Sequence, residues 1–240
     1  MVKQKKLSIF SLKTSILFIL TFFLIILYFY FSSYFEINNV SKAYITNQGD
    51  NTVSIIDLET LKTLKTLKVG VAPLGITILQ KKKLVFVGNV GTDDISVIDA
   101  VNDTLIKTIK LGTAPLSLAS NSEETKVYVT DWFQNNVLTI SADEMKVTRR
   151  LKVGVTPSGI AYNKKYKYQV ITNRDANTLE IYNEDDDLVK KIETGNHPFG
   201  VYSEGDFAYV ANVYDDSVSI INLVDWSKYE FMVGAHPYNV

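Results

Sequence analysis

Five short tags at near-constant spacing constrain this chain more than any other feature. The tag is Gly-x-x-Pro: Gly70-Val71-Ala72-Pro73, Gly112-Thr113-Ala114-Pro115, Gly154-Val155-Thr156-Pro157, Gly195-Asn196-His197-Pro198 and Gly234-Ala235-His236-Pro237. The steps between the glycines are 42, 42, 41 and 39 residues. A period of that size is the mark of a repeat architecture, in which one supersecondary unit is stacked on copies of itself.

Each unit carries the same strand signals. A short apolar stretch follows the proline, as in Leu74-Gly75-Ile76-Thr77-Ile78. A second strand ends in a small or polar pair: Tyr44-Ile45-Thr46-Asn47, Phe86-Val87-Gly88-Asn89, Tyr128-Val129-Thr130-Asp131, Val170-Ile171-Thr172-Asn173 and Tyr209-Val210-Ala211-Asn212. A third strand follows, as in Ile95-Ser96-Val97-Ile98-Asp99, and a fourth alternates strictly, as in Leu105-Ile106-Lys107-Thr108-Ile109-Lys110-Leu111. Period-2 alternation with β-branched residues favours strands, and the Asn, Asp and Gly clusters between them suit tight turns. Four antiparallel strands per unit, repeated, predict the blades of an all-β propeller. Lysines on the fourth strand suit a solvent-facing edge and discourage edge-to-edge pairing.

These residues resemble the YVTN-type β-propeller repeat, named for its second strand. Tyr44-Ile45-Thr46-Asn47 and Tyr128-Val129-Thr130-Asp131 come closest to that motif. The resemblance covers residues 42–240 and implies an exported or cell-surface propeller. It implies no defined activity.

The first unit, residues 42–69, lacks its innermost strand, and Pro237-Tyr238-Asn239-Val240 reads as the start of one. Five four-stranded blades are therefore expected, with the C-terminal segment completing the first. Such closure would remove unpaired edges. The alternative is an open arc.

Residues 14–35 contain no charge and are mostly Ile, Leu and Phe. A helix of that length, at about 1.5 Å per residue, crosses a hydrocarbon core of about 30 Å. Lys3, Lys5, Lys6 and Lys13 precede it, so the positive-inside rule places residues 1–13 in the cytoplasm. The expected layout is a cytoplasmic tail (1–13), an uncleaved signal-anchor helix (14–35), a linker (36–41) and an extracytoplasmic propeller (42–240). A cleaved signal peptide is the rival reading. Beyond residue 35 the chain holds 21 of its 25 basic residues and all 26 acidic ones, a net charge of about −5. That balance is a poor match for phosphate backbones, so nucleic acid is not the expected partner. Cysteine is absent, which excludes disulfides, thiolate metal sites and haem attachment through C-x-x-C-H.

In a four-strand meander alternate connections fall at the same end. The tag loops and the loops between second and third strands should share one rim. That rim collects His197, His236, Asp131, Trp132, Phe133, Arg174, Asp175, Tyr214, Asp215 and Asp216. Of these, His197, His236, Asp131, Trp132, Arg174 and Tyr214 are the expected ligand-facing residues. The only two histidines occupy one repeat position, which is Ala72, Ala114 and Thr156 elsewhere. Two imidazoles and a carboxylate could hold a metal, but a variable loop position explains them as well. Asp93-Asp94, Asp175 and Asp215-Asp216 invite a calcium reading, yet they recur where hairpin turns need Asp or Asn. The run Glu184-Asp185-Asp186-Asp187 falls at the opposite rim and reads as a solvated loop. Neither a nucleophile–base pattern nor a phosphate-cradling loop is present. No cofactor, metal site or catalytic set is expected. The leading function is a membrane-anchored propeller that binds another protein or an envelope component, or belongs to a surface layer. The alternative is a lactonase-like hydrolase using the polar rim residues. A redox domain carrying haem or copper ranks last, for want of cofactor motifs.

Overall fold

A computed structural model describes residues 20–30 and 41–240. Strands account for most of the second range and fall into five antiparallel sheets. The first has three strands, β1 (Lys42–Asn47), β2 (Thr52–Asp57) and β3 (Thr63–Lys68). The second holds β4 (Pro73–Leu79), β5 (Leu84–Asn89), β6 (Asp94–Asp99) and β7 (Thr104–Lys110). The third holds β8 (Pro115–Ser120), β9 (Lys126–Asp131), β10 (Asn136–Ser141) and β11 (Lys146–Lys152). The fourth holds β12 (Pro157–Asn163), β13 (Tyr168–Asn173), β14 (Thr178–Tyr182) and β15 (Leu188–Glu193). The fifth holds β16 (Pro198–Glu204), β17 (Phe207–Asn212), β18 (Ser217–Asn222) and β19 (Lys228–Met232). The inner strands β4, β8, β12 and β16 pack one against the next. This is the all-β, propeller-like arrangement of four-stranded blades that the repeat predicts.

The chain divides into two units. One includes residues 20–30, which are helical, and the turn Asp57–Lys62. In that turn the Asp57 carboxylate accepts the backbone N–H groups of Glu59 and Thr60 at 2.8 and 3.1 Å. The other unit, Tyr44–Ile56 and Thr63–Val240, carries the blades. Its core lies between successive blades. Leu79, Phe86, Ile95 and Val97 of the second sheet meet Leu118, Val129, Leu138 and Ile140 of the third. Val170, Leu179 and Ile181 of the fourth meet Ala208, Val210 and Ile221 of the fifth in the same way. Because both faces of a middle blade are covered, its second and third strands are apolar nearly throughout. The outer strands β3, β7, β11 and β15 are largely exposed, where their lysines and arginines meet solvent.

The repeat signature can be explained contact by contact. A Cβ on Gly70 would sit 2.6 Å from Asn89 Cγ, one on Gly154 2.6 Å from Asn173 Cγ, and one on Gly195 2.7 Å from Asn212 Cγ. In these three copies the tag glycine therefore lies flat on the asparagine that ends the next second strand. That asparagine turns its amide onto the third strand. Asn212 Nδ2 donates to Ser217 Oγ and Ser219 Oγ at 3.0 and 2.9 Å, and Asn89 Nδ2 to Asp94 Oδ1 and Ser96 Oγ at 2.8 and 2.9 Å. The threonine before it reaches the next blade: Thr46 Oγ1 donates to Leu74 O at 3.1 Å and Thr172 Oγ1 to Phe199 O at 2.6 Å. The residue before each tag proline has positive φ in four of the five copies, at Ala72, Thr156, His197 and His236. Its N–H is capped by a turn residue of the preceding blade, Asn51, Asn135, Asn177 and Asp216 respectively, at 2.8–3.0 Å.

One expectation changes. The C-terminal segment does not complete the first blade. The first sheet has three strands, and Pro237–Val240 forms no ladder with β1 among the described residues. Instead Gly200 N donates to Tyr238 O at 3.0 Å, and a Cβ on Gly200 would meet Asn239 Oδ1 at 2.5 Å. The segment thus lies on β16 as Phe199 lies on Gly159, in the place of a following inner strand. The edge of β1 stays open: Ile45 is 48% exposed, whereas its counterparts Val87, Val129, Ile171 and Val210 are all 0%. The expected spanning helix is not seen among the described residues. Of residues 14–35 only 20–30 are described, the rest of that segment lying outside the described residues, as do 1–13 and most of 36–41. Among the described residues no helix is long and apolar enough to cross a membrane.

The open edge has a measurable consequence. Ile171→Ala removes a fully buried side chain and should cost about 3–4 kcal/mol. Ile45→Ala, at the same repeat position, should cost under about 1 kcal/mol, since its side chain already meets water. Urea unfolding of the two variants checks this. Equal losses would mean that β1 is covered.

Candidate functional site

The tag loops and the loops between second and third strands do share one rim, because consecutive turns of a meander alternate between its two ends. Most of the expected residues come together there across the third, fourth and fifth blades. The Arg174 guanidinium carbon lies 5.7 Å from the Trp132 ring centroid and 5.9 Å from that of Tyr214. Tyr214 is flanked by both histidines, with ring centroids 4.2 Å away for His197 and 6.2 Å for His236. The imidazoles therefore bracket a phenol ring. Arg174 Nη1 donates to Asp175 Oδ1 at 2.7 Å, and His197 Nε2 lies 3.8 Å from the same oxygen. Thr156 Oγ1 donates to Asp175 Oδ2 at 2.7 Å and steadies that carboxylate.

The remaining carboxylates serve the turns. Asp215 Oδ2 accepts Asn196 N at 2.6 Å, and Asp216 Oδ1 accepts His236 N at 2.8 Å. Asp94 pairs with Lys110 at 2.7 Å and accepts Asn89 Nδ2. Among the described residues no group of three or more His, Asp or Glu side chains is placed to hold a metal ion. Asp131 differs from the other expected residues. It is fully buried, and its Oδ1 accepts the N–H groups of Phe133 and Gln134 and the Thr113 hydroxyl. Its Oδ1 is turned into its own loop, and its buried Oδ2 has no hydrogen-bond partner among the described residues. The loop differs because aspartate here replaces the usual asparagine. The paired glycine, Gly112, adopts φ +71 and has no neighbour where its Cβ would be.

Two rim residues escape sequence reading. Phe199 lies 6.2 Å from Trp132 between ring centroids, and Tyr238 packs edge-on against Phe199 at 5.4 Å. Both follow a tag proline, where the other copies have Leu74, Leu116 and Ser158. That series looks like ordinary core, which hides the two aromatics.

At the opposite rim the run Glu184–Asp187 is more firmly tied than a solvated loop. Asn183 Oδ1 accepts the N–H groups of Asp185 and Asp187 at 3.0 and 2.8 Å. Asp186 pairs with Arg149 at 2.7 Å, and Glu184 accepts the Tyr162 hydroxyl at 2.9 Å. Burial first, and then that hydrogen bond, push the Tyr162 phenol well above its ordinary range. Burial does the same to Tyr128, which stacks on it at 6.0 Å. Both phenols stay neutral at physiological pH and offer no base for catalysis.

A repeat of antiparallel blades, with its signature glycine, asparagine and threonine binding blade to blade, defines a propeller of the YVTN type. The chain belongs to the YNCE-like β-propeller family, whose model matches residues 32–210. Comparison with curated protein sequences finds no match. Among solved structures it is similar to hydrazine synthase of Kuenenia stuttgartiensis, with TM-score 0.75 and 18% identity over 82% of this chain and 66% of that one. It is similar to a functionally unknown protein from Desulfotomaculum acetoxidans, with TM-score 0.74 and 16% identity over 83% of this chain and 68% of that one. It is also similar to virginiamycin B lyase from Staphylococcus aureus, with TM-score 0.72 and 17% identity over 84% of this chain and 70% of that one. At such identities the likeness shows the fold alone. This chain spans only about two thirds of each of those structures.

Proposed function

We propose that this chain is a binding propeller that engages a protein or envelope component through the rim of its third to fifth blades. One observation carries the reading. The two residues after each second strand read Gln48-Gly49 and Val90-Gly91 in the first blades, but Trp132-Phe133, Arg174-Asp175 and Val213-Tyr214 in the later ones. The tag position that is alanine at 72 and 114 becomes histidine at 197 and 236. The scaffold is built equally well with small residues, so the large rings and the guanidinium in one contiguous sector are surplus to folding. Exposed aromatic and arginine side chains are what binding hot spots are made of. Lactonase-like hydrolysis is supported less well, because Asp131 is committed to its turn.

The same proposal places the propeller outside the cell, held by residues 14–35 as a single-pass anchor. Four lysines precede an uncharged, apolar stretch, which supports that orientation. Protease added to intact cells should then remove the propeller and leave a membrane-bound N-terminal fragment. Full protection of the propeller would contradict the orientation. Arg174→Ala combined with Tyr214→Ala should weaken partner capture at least about tenfold, the loss of one or two hot-spot contacts of ~1–2 kcal/mol each. Trp226→Ala at the opposite rim should change it little. Equal losses from both rims would reject the assignment.

A further inference from the structure

We infer that the rim's ligand is a neutral oligosaccharide, whose sugar rings lie on Trp132, Phe133 and Tyr214 while its hydroxyl groups bond to Arg174 and Asp175. This rests on the binding role proposed above and names the chemistry of its ligand.

Three features narrow the class. First, the aromatic surface is accessible: Phe133 is 74% exposed and Tyr214 55%. Flat rings with a negative π-face attract the polarised C–H edges of a pyranose. Second, the site is unsuited to a cation. An aromatic cage is the usual receptor for a quaternary or ammonium group, and here the positive charge of Arg174, 5.7 and 5.9 Å from the Trp132 and Tyr214 ring centroids, repels a second cation but not a neutral ligand. Third, it is unsuited to an anion. Arg174 is paired with Asp175, and Asp215 and Asp216 lie in the adjoining loop, so carboxylates outnumber the guanidinium. A neutral ligand with apolar faces and many hydroxyl groups meets all three conditions. Among the described residues the Arg174 side chain donates one hydrogen bond, through Nη1, which leaves other N–H groups of the fork to donate to hydroxyls. Asp175 is 42% exposed at its side chain and can accept from them. An alternating set of ring faces and fixed polar groups is a common way to hold a sugar chain in one register.

The test uses the full-length chain in mild detergent, with Trp226→Phe so that Trp132, the other of the two tryptophans, reports alone. The probes are chitotetraose, cellotetraose and maltotetraose, with tetragalacturonate as the anionic control and a short neutral peptide of Tyr, Ser and Gly as the protein-like control. At least one neutral tetrasaccharide should change Trp132 emission saturably, with a midpoint at or below about 1 mM, the affinity expected from a few contacts. Tyr214→Ala and Arg174→Met should each weaken that binding about tenfold, and circular dichroism should show both variants folded. Tetragalacturonate should bind at least about tenfold more weakly. Tighter binding of tetragalacturonate would overturn the inference. Saturable binding of the peptide alone, lost in Tyr214→Ala, would also overturn it while leaving the rim's binding role standing. No response to any probe would overturn the inference, and if no cellular partner is captured in a rim-dependent way either, the binding role falls with it.

Discussion

Replacing Gly159 with valine should lower the thermal midpoint by about 6–12 °C, the shift that a loss of about 3 kcal/mol produces in a domain of this size. The Cβ would sit 2.3 Å from the Phe199 carbonyl oxygen and 2.8 Å from Thr172 Oγ1. The first of those atoms is backbone of the adjoining blade, so relief means moving β16 away from β12. Gly159 sits at a bulge, where Pro157 faces Asn173 but Ile160 faces Ile171. The same one-residue slip recurs at Pro73, Pro115 and Pro198. It brings the inner strands together, and a glycine takes the point of closest approach at Gly75, Gly159 and Gly200, while Ser117 stands there in the third blade. Gly49→Ala is the matching control. Nothing lies within 4 Å of its added carbon, and a slight gain of about 0.5 kcal/mol is expected from a stiffer unfolded chain. Differential scanning calorimetry of the two variants measures both effects. A Gly159 variant as stable as the parent would mean that the blades are not held at this spacing.

Thr172→Val should cost about 2–4 kcal/mol although the two side chains have nearly the same shape. The hydroxyl accepts the Gly159 N–H at 2.8 Å and donates to the Phe199 carbonyl at 2.6 Å, so it ties both inner strands to β13. Valine leaves the buried Gly159 N–H without its partner and the Phe199 carbonyl with only the Ser158 hydroxyl at 3.4 Å, and losses of this kind cost about 1–3 kcal/mol each. Thr46→Val removes the equivalent bond to Leu74 O, but that bond is exposed to solvent. Water replaces it, and the expected cost is under about 0.5 kcal/mol. The ratio between two identical substitutions at one repeat position is the readout. Similar losses at both sites would show that local strand propensity, rather than the bond between blades, decides the residue.

These contacts explain why so much of the fold is readable from the chain. The glycine of the tag and the asparagine of the second strand are about 19 residues apart, yet each excludes alternatives for the other, as Gly154 and Asn173 show. A constraint of that kind recurs at fixed spacing and is visible without a structure. The rim was legible for the same reason: meander topology assigns loops to ends, which brought Trp132, Arg174, Tyr214 and the two histidines together. What stayed hidden depends on which of two similar contacts wins. Asp131 has the size of the asparagine it replaces, but a carboxylate has no N–H to offer β10 and turns to the N–H groups of its own loop. Phe199 and Tyr238 occupy a position that elsewhere reads Leu or Ser, so nothing marked them as part of an aromatic surface. Pro237–Val240 has the pattern of an inner strand, but pattern does not say which edge receives it. The segment sits on Gly200 as other inner strands sit on the glycine before them, but it forms no ladder with β1.

Site-specific photo-crosslinking tests the central claim most directly. A benzophenone amino acid is placed at Phe133 on the proposed binding rim, and separately at Trp226 on the opposite one, in full-length chains expressed in the native cell. Irradiation at position 133 should yield one dominant adduct with an extracellular envelope component, lost when Tyr214→Ala is added. Position 226 should give none of it. The same adduct from both positions, or an adduct from 226 alone, would contradict the assignment of binding to the rim built by Trp132, Arg174 and Tyr214.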